Sequence, residues 1–337
     1  MEKFTQTPLV ALLSVVFSFA ASPAQASCGS SFCSVNTHWS TQGLDNAEGL
    51  SLDLRYSRAK ADRLRAGSTR ITAEEASGSG EELENRHTLN EMVDLVADYA
   101  FTPRWSLALT VPYVMREHTH TLDSSAGTTE QTAKFKELGD LRLVGKYNFD
   151  TGRHDLGGGV RLGVKLPTGE TKQTMSPPDP ADPDVPYLLE RSAQPGSGSA
   201  DVIVGAFAFG SWIGTGWGWF GNVEGQIAVA SRDNYRPGDQ VNVDAGVNYN
   251  LTHDLVALLQ LNYQHRERDT GLNANPASGG YSVNLSPGLT YALTPQTRIY
   301  GFVQKALKQY ANTDPADPAS GQLTAPWSLA MGINHHF

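Results

Sequence analysis

Apolar residues recur on every second position, in stretches of about ten residues, and this pattern excludes most folds. Trp105, Leu107, Leu109, Val111 and Tyr113 alternate with Ser106, Ala108, Thr110 and Pro112. Leu141, Leu143, Gly145, Tyr147 and Phe149 alternate with Arg142, Val144, Lys146 and Asn148, and Val160, Leu162, Val164 and Leu166 with Arg161, Gly163 and Lys165. The same period runs from Val241 to Tyr249 and from Trp327 to Phe337. A period of two puts all the apolar side chains on one face of a strand; a helix would need them three and four residues apart. The opposite face carries Arg142, Lys146, Arg161, Lys165, Glu224 and Asp244. A soluble sandwich would turn these to water and a membrane barrel to a wet lumen, and alternation alone does not choose.

The connections choose. Very short turns (Thr102-Pro103-Arg104, Asp150 to Arg153, Gly214-Thr215, Thr252 to Asp254, Thr294 to Gln296) alternate with long polar stretches near 60–85, 118–131, 168–197, 232–238, 268–279 and 311–324. Short turns at one end and long loops at the other are the plan of an outer-membrane barrel. Aromatics support it. Phe101, Trp105, Phe149, Trp212, Trp217, Tyr249 and Tyr291 lie beside the short turns with the parity of the apolar face, and Tyr113, Tyr263, Tyr281 and Trp327 lie near the long loops. Two aromatic belts are expected where a barrel crosses the lipid headgroups. The mean hydropathy of -0.33 is compatible, because lipid-facing and lumen-facing residues cancel. The expected fold is therefore all-β: an antiparallel transmembrane β-barrel of about 12 strands, with short periplasmic turns and long extracellular loops.

The first residues read as an export signal. Lys3 precedes the apolar run Val10 to Ala21, and Ala24-Gln25-Ala26 supplies the small residues of a cleavage site. The expected organisation is a signal peptide over 1–26, a periplasmic segment over 27–49 and the barrel over 50–337, in a bacterial outer membrane. Residues 27–49 could plug the barrel or tether a partner. They hold Cys28 and Cys33, which in an oxidising periplasm suit a small disulfide loop. The sharper alternative is a thiolate site for copper, a soft metal.

Little else suggests chemistry. No nucleophile elbow, zinc-protease pair or phosphate loop is present, and Gly214, Gly216 and Gly218 in GTGWGW read as a tight hairpin. His118 and His120 share a strand face and could in principle share a metal. The net charge of -9 and the lack of basic clusters argue against a nucleic-acid partner. No enzyme activity and no cofactor is expected. The expected partners are outer-membrane lipid, the barrel-assembly machinery and a small-molecule permeant, for a monomeric chain. The lumen candidates are Arg142, Lys146, Arg161 and Lys165, a basic patch on two successive strands, facing Asp94, Asp98, Glu224 and Asp244. They form either a field that selects permeants or a salt-bridge lattice that stiffens the wall; buried charges usually pair, which favours the lattice.

Three stretches resemble a known family: ELGDLRLVGKYNF over 137–149, VRLGVKLPTGE over 160–170 and GSGSADVIVG over 196–205, with GDQVNVDAGVNYNLT further on. Together they resemble the outer-membrane transporter family linked to the meta pathway of phenol degradation. The resemblance implies a barrel that carries a small, hydrophobic or aromatic compound inward. The chain end also resembles the assembly signal of outer-membrane barrels, through Gly332, His335 and the terminal Phe337. The resulting expectation is a channel for passive or facilitated uptake. Its alternative is a non-transporting barrel whose Cys28/Cys33 segment holds copper or a periplasmic partner.

Overall fold

The computed structural model describes residues 34–44, 48–76, 82–124, 127–178 and 183–337. The signal segment, Cys28 and Cys33 lie outside them. Twelve wall strands follow in order: β1 (Gly49–Ala61), β2 (Glu82–Ala100), β3 (Trp105–Ser124), β4 (Gly127–Leu138 and Leu141–Asn148), β5 (Leu156–Leu166), β6 (Asp201–Trp212), β7 (Trp217–Ala228), β8 (Gln240–Asn250), β9 (Leu255–Arg266), β10 (Gly280–Ala292), β11 (Thr297–Ala311) and β12 (Trp327–His336). Each pairs antiparallel with its sequence neighbours. β12 pairs with β1 from Ser51↔His336 to Ala59↔Ser328, which closes the ring. Closure leaves no unpaired edge, the condition for strands to cross a bilayer.

The apolar face points outward. Leu162, at 66% exposure, and Trp105, at 57%, are typical of a wall on which Leu95, Leu143, Val204, Val243, Leu261 and Met331 are also exposed. In water such a surface would be far too large for a monomer; in lipid it is the solvent-matched face. Phe101, Trp105, Phe149, Trp212, Trp217, Tyr249 and Tyr291 form the aromatic belt at the short-turn end, and Tyr113, Tyr263 and Trp327 stand exposed toward the other. The interior is correspondingly polar: Thr88, Asn90, Gln131, Gln260, Asn262 and Ser286 are completely buried.

β4 is one wall strand in two pieces. Its outer piece pairs with β3 from Tyr113↔Leu138 outward, and its inner piece from Thr110↔Arg142 inward. Between them Pro112 has no N–H to give, and the ladder is bridged by Gly139 N donating to the Pro112 carbonyl at 2.9 Å.

One expectation is corrected. The polar stretch 118–131 is not a long loop: β3 runs to Ser124 and β4 starts at Gly127. Its polar side chains find partners within the sheet. Thr88 Oγ1 and His118 Nδ1 share a hydrogen bond of 2.9 Å, and His120 Nε2 and Gln131 Oε1 one of 2.8 Å. The loop after β5 then covers this extension. Thr132 and Ser176 exchange backbone hydrogen bonds of 2.8 and 2.9 Å, and Met175, Leu189 and Ala193 pack on Val114, Ala133 and Phe135. A second outer cover is a small sheet of 63–66, 69–70 and 322–324, built around Ala61, Leu64 and Leu323.

Candidate lumen site

The inner wall has two chemically different halves. From β7 to β12 a belt of amides and hydroxyls, hydrogen-bonded around a single carboxylate, crosses six strands. Asn222 Nδ2 donates to Asp244 Oδ2 at 3.1 Å, and Asn262 Nδ2 to Asp244 Oδ1 at 2.7 Å. Ser286 Oγ donates to Asn262 Oδ1 (2.7 Å), Gln304 Nε2 to Ser286 Oγ (3.0 Å) and Ser328 Oγ to Gln304 Oε1 (3.0 Å). Every link is an inward-facing residue of the period-two pattern: register sets Asn222, Asp244 and Asn262 side by side and Gln304 beside Ser328, and Ser286, opposite Gln260, reaches Asn262 diagonally.

The other half is charged. Cross-strand register sets Lys146 opposite Arg161 and Arg142 opposite Lys165, two like-charge pairs that would repel if left alone. Carboxylates from β7, β6 and the β4 kink relieve them. Glu224 accepts from Arg142 at 2.9 Å and pairs with Arg161 at 2.7 Å. Lys165 reaches Asp201 at 2.6 Å and Asp140 at 3.6 Å. Arg161 reaches Glu224 across β6 because the residue between them is Gly205, whose missing side chain leaves the path open.

Of the four acids expected to face the basic patch, Glu224 alone makes an ion pair with it. Asp94 pairs instead with Arg55 on β1, and Asp244 serves the belt of amides and hydroxyls. Asp98 is half-buried, with one carboxylate oxygen lacking a hydrogen-bond partner. Partner choice follows barrel curvature and stagger, which parity does not contain. Asp201, Asp140 and Arg55 were missed. Arg55 and Asp201 lie on the inward parity of SLDLRYS and SADVIVG, so the alternation could have found them; Asp140 lies in the kink, where no period applies.

Residues 34–44 lie inside the barrel. Asn36 N donates to Gln260 Oε1 at 3.2 Å, and Gln260 Nε2 returns a bond to the Asn36 carbonyl at 2.9 Å. Ser34 bonds Gln304 and Asn284, Arg55 Nη1 donates to Thr37 Oγ1 at 3.0 Å, and Arg298 Nη1 to the Leu44 carbonyl at 2.9 Å. Trp39 is the anchor. It is 3% exposed, packs edge-on to Tyr300 at 4.8 Å and stacks near Phe302 at 6.4 Å, and its Nε1 donates to Asp53 Oδ2 at 3.3 Å. On the far side Gly43, with φ of 73°, lies against the Phe209 ring, where a Cβ would collide. β6, which carries Phe209, is diametrically opposite β12 in a ring of twelve, so the segment spans the lumen wall to wall at the short-turn end.

Above this plug lies a cavity of about 480 Å³. Its floor is Ser34 to His38, and its upper rim comes from the outer loops around Arg191, Tyr235 and Gln322. At that rim the buried Tyr235 hydroxyl donates to Asp269 Oδ2 at 3.0 Å, Arg266 pairs with Asp269 at 2.5 Å, and the Arg191 guanidinium lies 5.2 Å over the Tyr235 ring. Burial raises the Tyr235 pKa well above that of an ordinary phenol, which keeps it a donor.

Among the described residues no group of three or more His, Cys, Asp or Glu is placed to hold a metal ion. His118 and His120 meet edge-on with ring centres 5.5 Å apart. His335, at the chain end, bonds Thr297 at 2.8 Å and packs edge-on to Phe337. Gly332 lies beneath the Tyr300 ring of β11, where any larger residue would clash.

A family model described as "Putative MetA-pathway of phenol degradation" matches residues 186–315. The match includes GSGSADVIVG and GDQVNVDAGVNYNLT and begins after the other two stretches that carried the resemblance. An outer membrane channel from Pseudomonas putida F1 shares the fold, with a TM-score of 0.59 and 13% identity, over 86% of this chain and 96% of that one. Looser likenesses are to the translocator domain of the autotransporter NalP from Neisseria meningitidis (TM-score 0.46, 12% identity, 88% and 91% covered) and to the CymD monoaromatic hydrocarbon channel (0.43, 10%, 91% and 94%). No curated protein matches the sequence.

Proposed function

We propose that this outer-membrane barrel, part of which matches the phenol-degradation family model, is a channel for passive or facilitated uptake of a small compound. One observation carries the reading: a polar cavity enclosed by the wall, with a floor made by a segment that lies in the lumen and belongs to no strand of the ring. A stiff scaffold barrel would fill its interior with wall side chains. Here the floor is instead a short stretch of chain, held by hydrogen bonds and one tryptophan, which can leave without breaking a strand pair.

The family description points to an aromatic permeant, and the fold relative is itself an outer membrane channel. The route is selective and gated rather than wide, since a twelve-stranded ring leaves limited room between facing side chains. The chain is exported by a signal cleaved after Ala26, acts as a monomer and performs no catalysis in this reading. Planar-bilayer recording tests it. Unitary conductance steps are expected from the mature protein, rare at rest and frequent once the plug is loosened by Trp39→Ala. Silence from both folded proteins would refute the channel.

A further inference from the structure

We infer, on the channel reading above, that the lumen cavity binds a small organic anion, a carboxylate on a compact body, during passage. The charges that face the cavity do not balance. Among the described residues seven cationic side chains line it against three carboxylates, Asp140, Glu224 and Asp244. The cations come from all round the ring: Arg142 and Arg161 on β4 and β5, Arg55 on β1, Arg266 on β9 and Arg191 from the outer loop. Lys165 and Arg116 complete the set.

Several of the acids that pair with these cations sit behind them. Asp94, Asp201 and Asp269 do not line the cavity, and their side chains are 3%, 2% and 0% exposed. Their partners Arg55 and Arg266 are 20% and 23% exposed. The positive end of each pair is thus turned to the space and the negative end to the wall. A low-dielectric wall focuses such a field into the enclosure.

Spare donor capacity points the same way. One carboxylate, Glu224, is shared by two guanidinium groups. A guanidinium fork matches a carboxylate in two parallel bonds, which a neutral permeant does not offer. The volume of about 480 Å³ suits a molecule of a few ring atoms, and Tyr235, Pro237 and Tyr310 offer it apolar surface. A purely hydrocarbon permeant would have to displace water from this charged wall with nothing in return.

The test titrates the full mature chain in detergent with sodium benzoate by calorimetry, with benzyl alcohol as the neutral counterpart and inorganic phosphate as a non-organic anion. Saturable benzoate binding is expected, with no heat from benzyl alcohol and weaker binding of phosphate. Two variants should move affinity in opposite directions. Arg161→Gln removes a donor and should weaken benzoate about tenfold; Glu224→Gln removes the internal competitor and should tighten it about tenfold. A merely structural role would weaken both. Heat-shifted migration on gels establishes that each variant is folded, and should either fail, the comparison of benzoate with benzyl alcohol on the unaltered chain still decides. No benzoate binding, equal binding of benzyl alcohol or phosphate, or parallel losses in both variants would overturn the anion site. Conductance recorded on the same protein separates the two readings. A conducting barrel indifferent to benzoate loses the anion site and keeps the channel. A barrel that binds benzoate yet never conducts keeps the site, and the channel reading fails.

Discussion

Replacing Trp39 with alanine should convert a mostly closed barrel into a frequently open one. Trp39 is the largest buried group of the plug, wedged against Tyr300 and Phe302 and bonded to Asp53. Truncating a packed tryptophan to alanine costs about 3–5 kcal/mol. The site borders a wet lumen and the hydrogen bond is long, so the low end, about 3 kcal/mol, is the appropriate figure. At 1.4 kcal/mol per decade, that raises the ratio of undocked to docked plug roughly 100-fold. The wall itself should not change, because the ladders of β11, β12 and β1 do not involve the Trp39 side chain. Single-channel recording should therefore show an open probability higher by about two orders of magnitude, with an unaltered unfolding midpoint on heat-shift gels. Trp39→Phe keeps a ring between Tyr300 and Phe302 and should fall between the two. If the alanine variant folds normally and its open probability equals the wild type's, the plug does not hold the lumen shut.

Other substitutions probe the wall. Leu162→Arg sits mid-strand on the outer face and should lower the unfolding free energy in lipid vesicles by about 2–4 kcal/mol; no change would mean that this face does not meet lipid. Asp201→Asn strips Lys165 of its shortest ion pair while leaving Asp140 and Ser197 near it. A loss of about 3 kcal/mol is expected, read as a lower thermal midpoint, and an unchanged midpoint would show the pair to be dispensable. Gly332→Ala drives a Cβ into the Tyr300 ring and should cost about 1–3 kcal/mol, lowering the refolded fraction in purified lipid. If that fraction holds and only assembly in cells suffers, the glycine serves recognition by the assembly machinery rather than packing.

Much of this molecule is local physics and was open to reading along the chain. Alternation at Trp105–Tyr113, Val160–Leu166 and Trp327–Phe337 decides which side chains meet lipid, because a strand offers only two faces and a bilayer accepts only one kind. The same parity marks Arg142, Lys146, Arg161, Lys165 and Glu224 as inward, and short turns mark which end is which. The strand extensions over 118–131 escaped it. Their polar residues carry no apolar period, and the contacts that order them come from Met175 and Leu189, some fifty residues away in the chain. The charge partners escaped it too, since Arg161 meets Glu224 rather than Asp98 only through the stagger of closed strands and the gap at Gly205. The plug is the clearest case. Ser34 to Leu44 has no period and no motif, and its place depends on Gly43 and Trp39 meeting opposite walls of a ring that exists only once all twelve strands have paired. Sequence determined the two-faced wall, because that depends on neighbours one and two residues apart; the tertiary structure alone decided what fills the space within, because closure brings together residues that no local spacing relates.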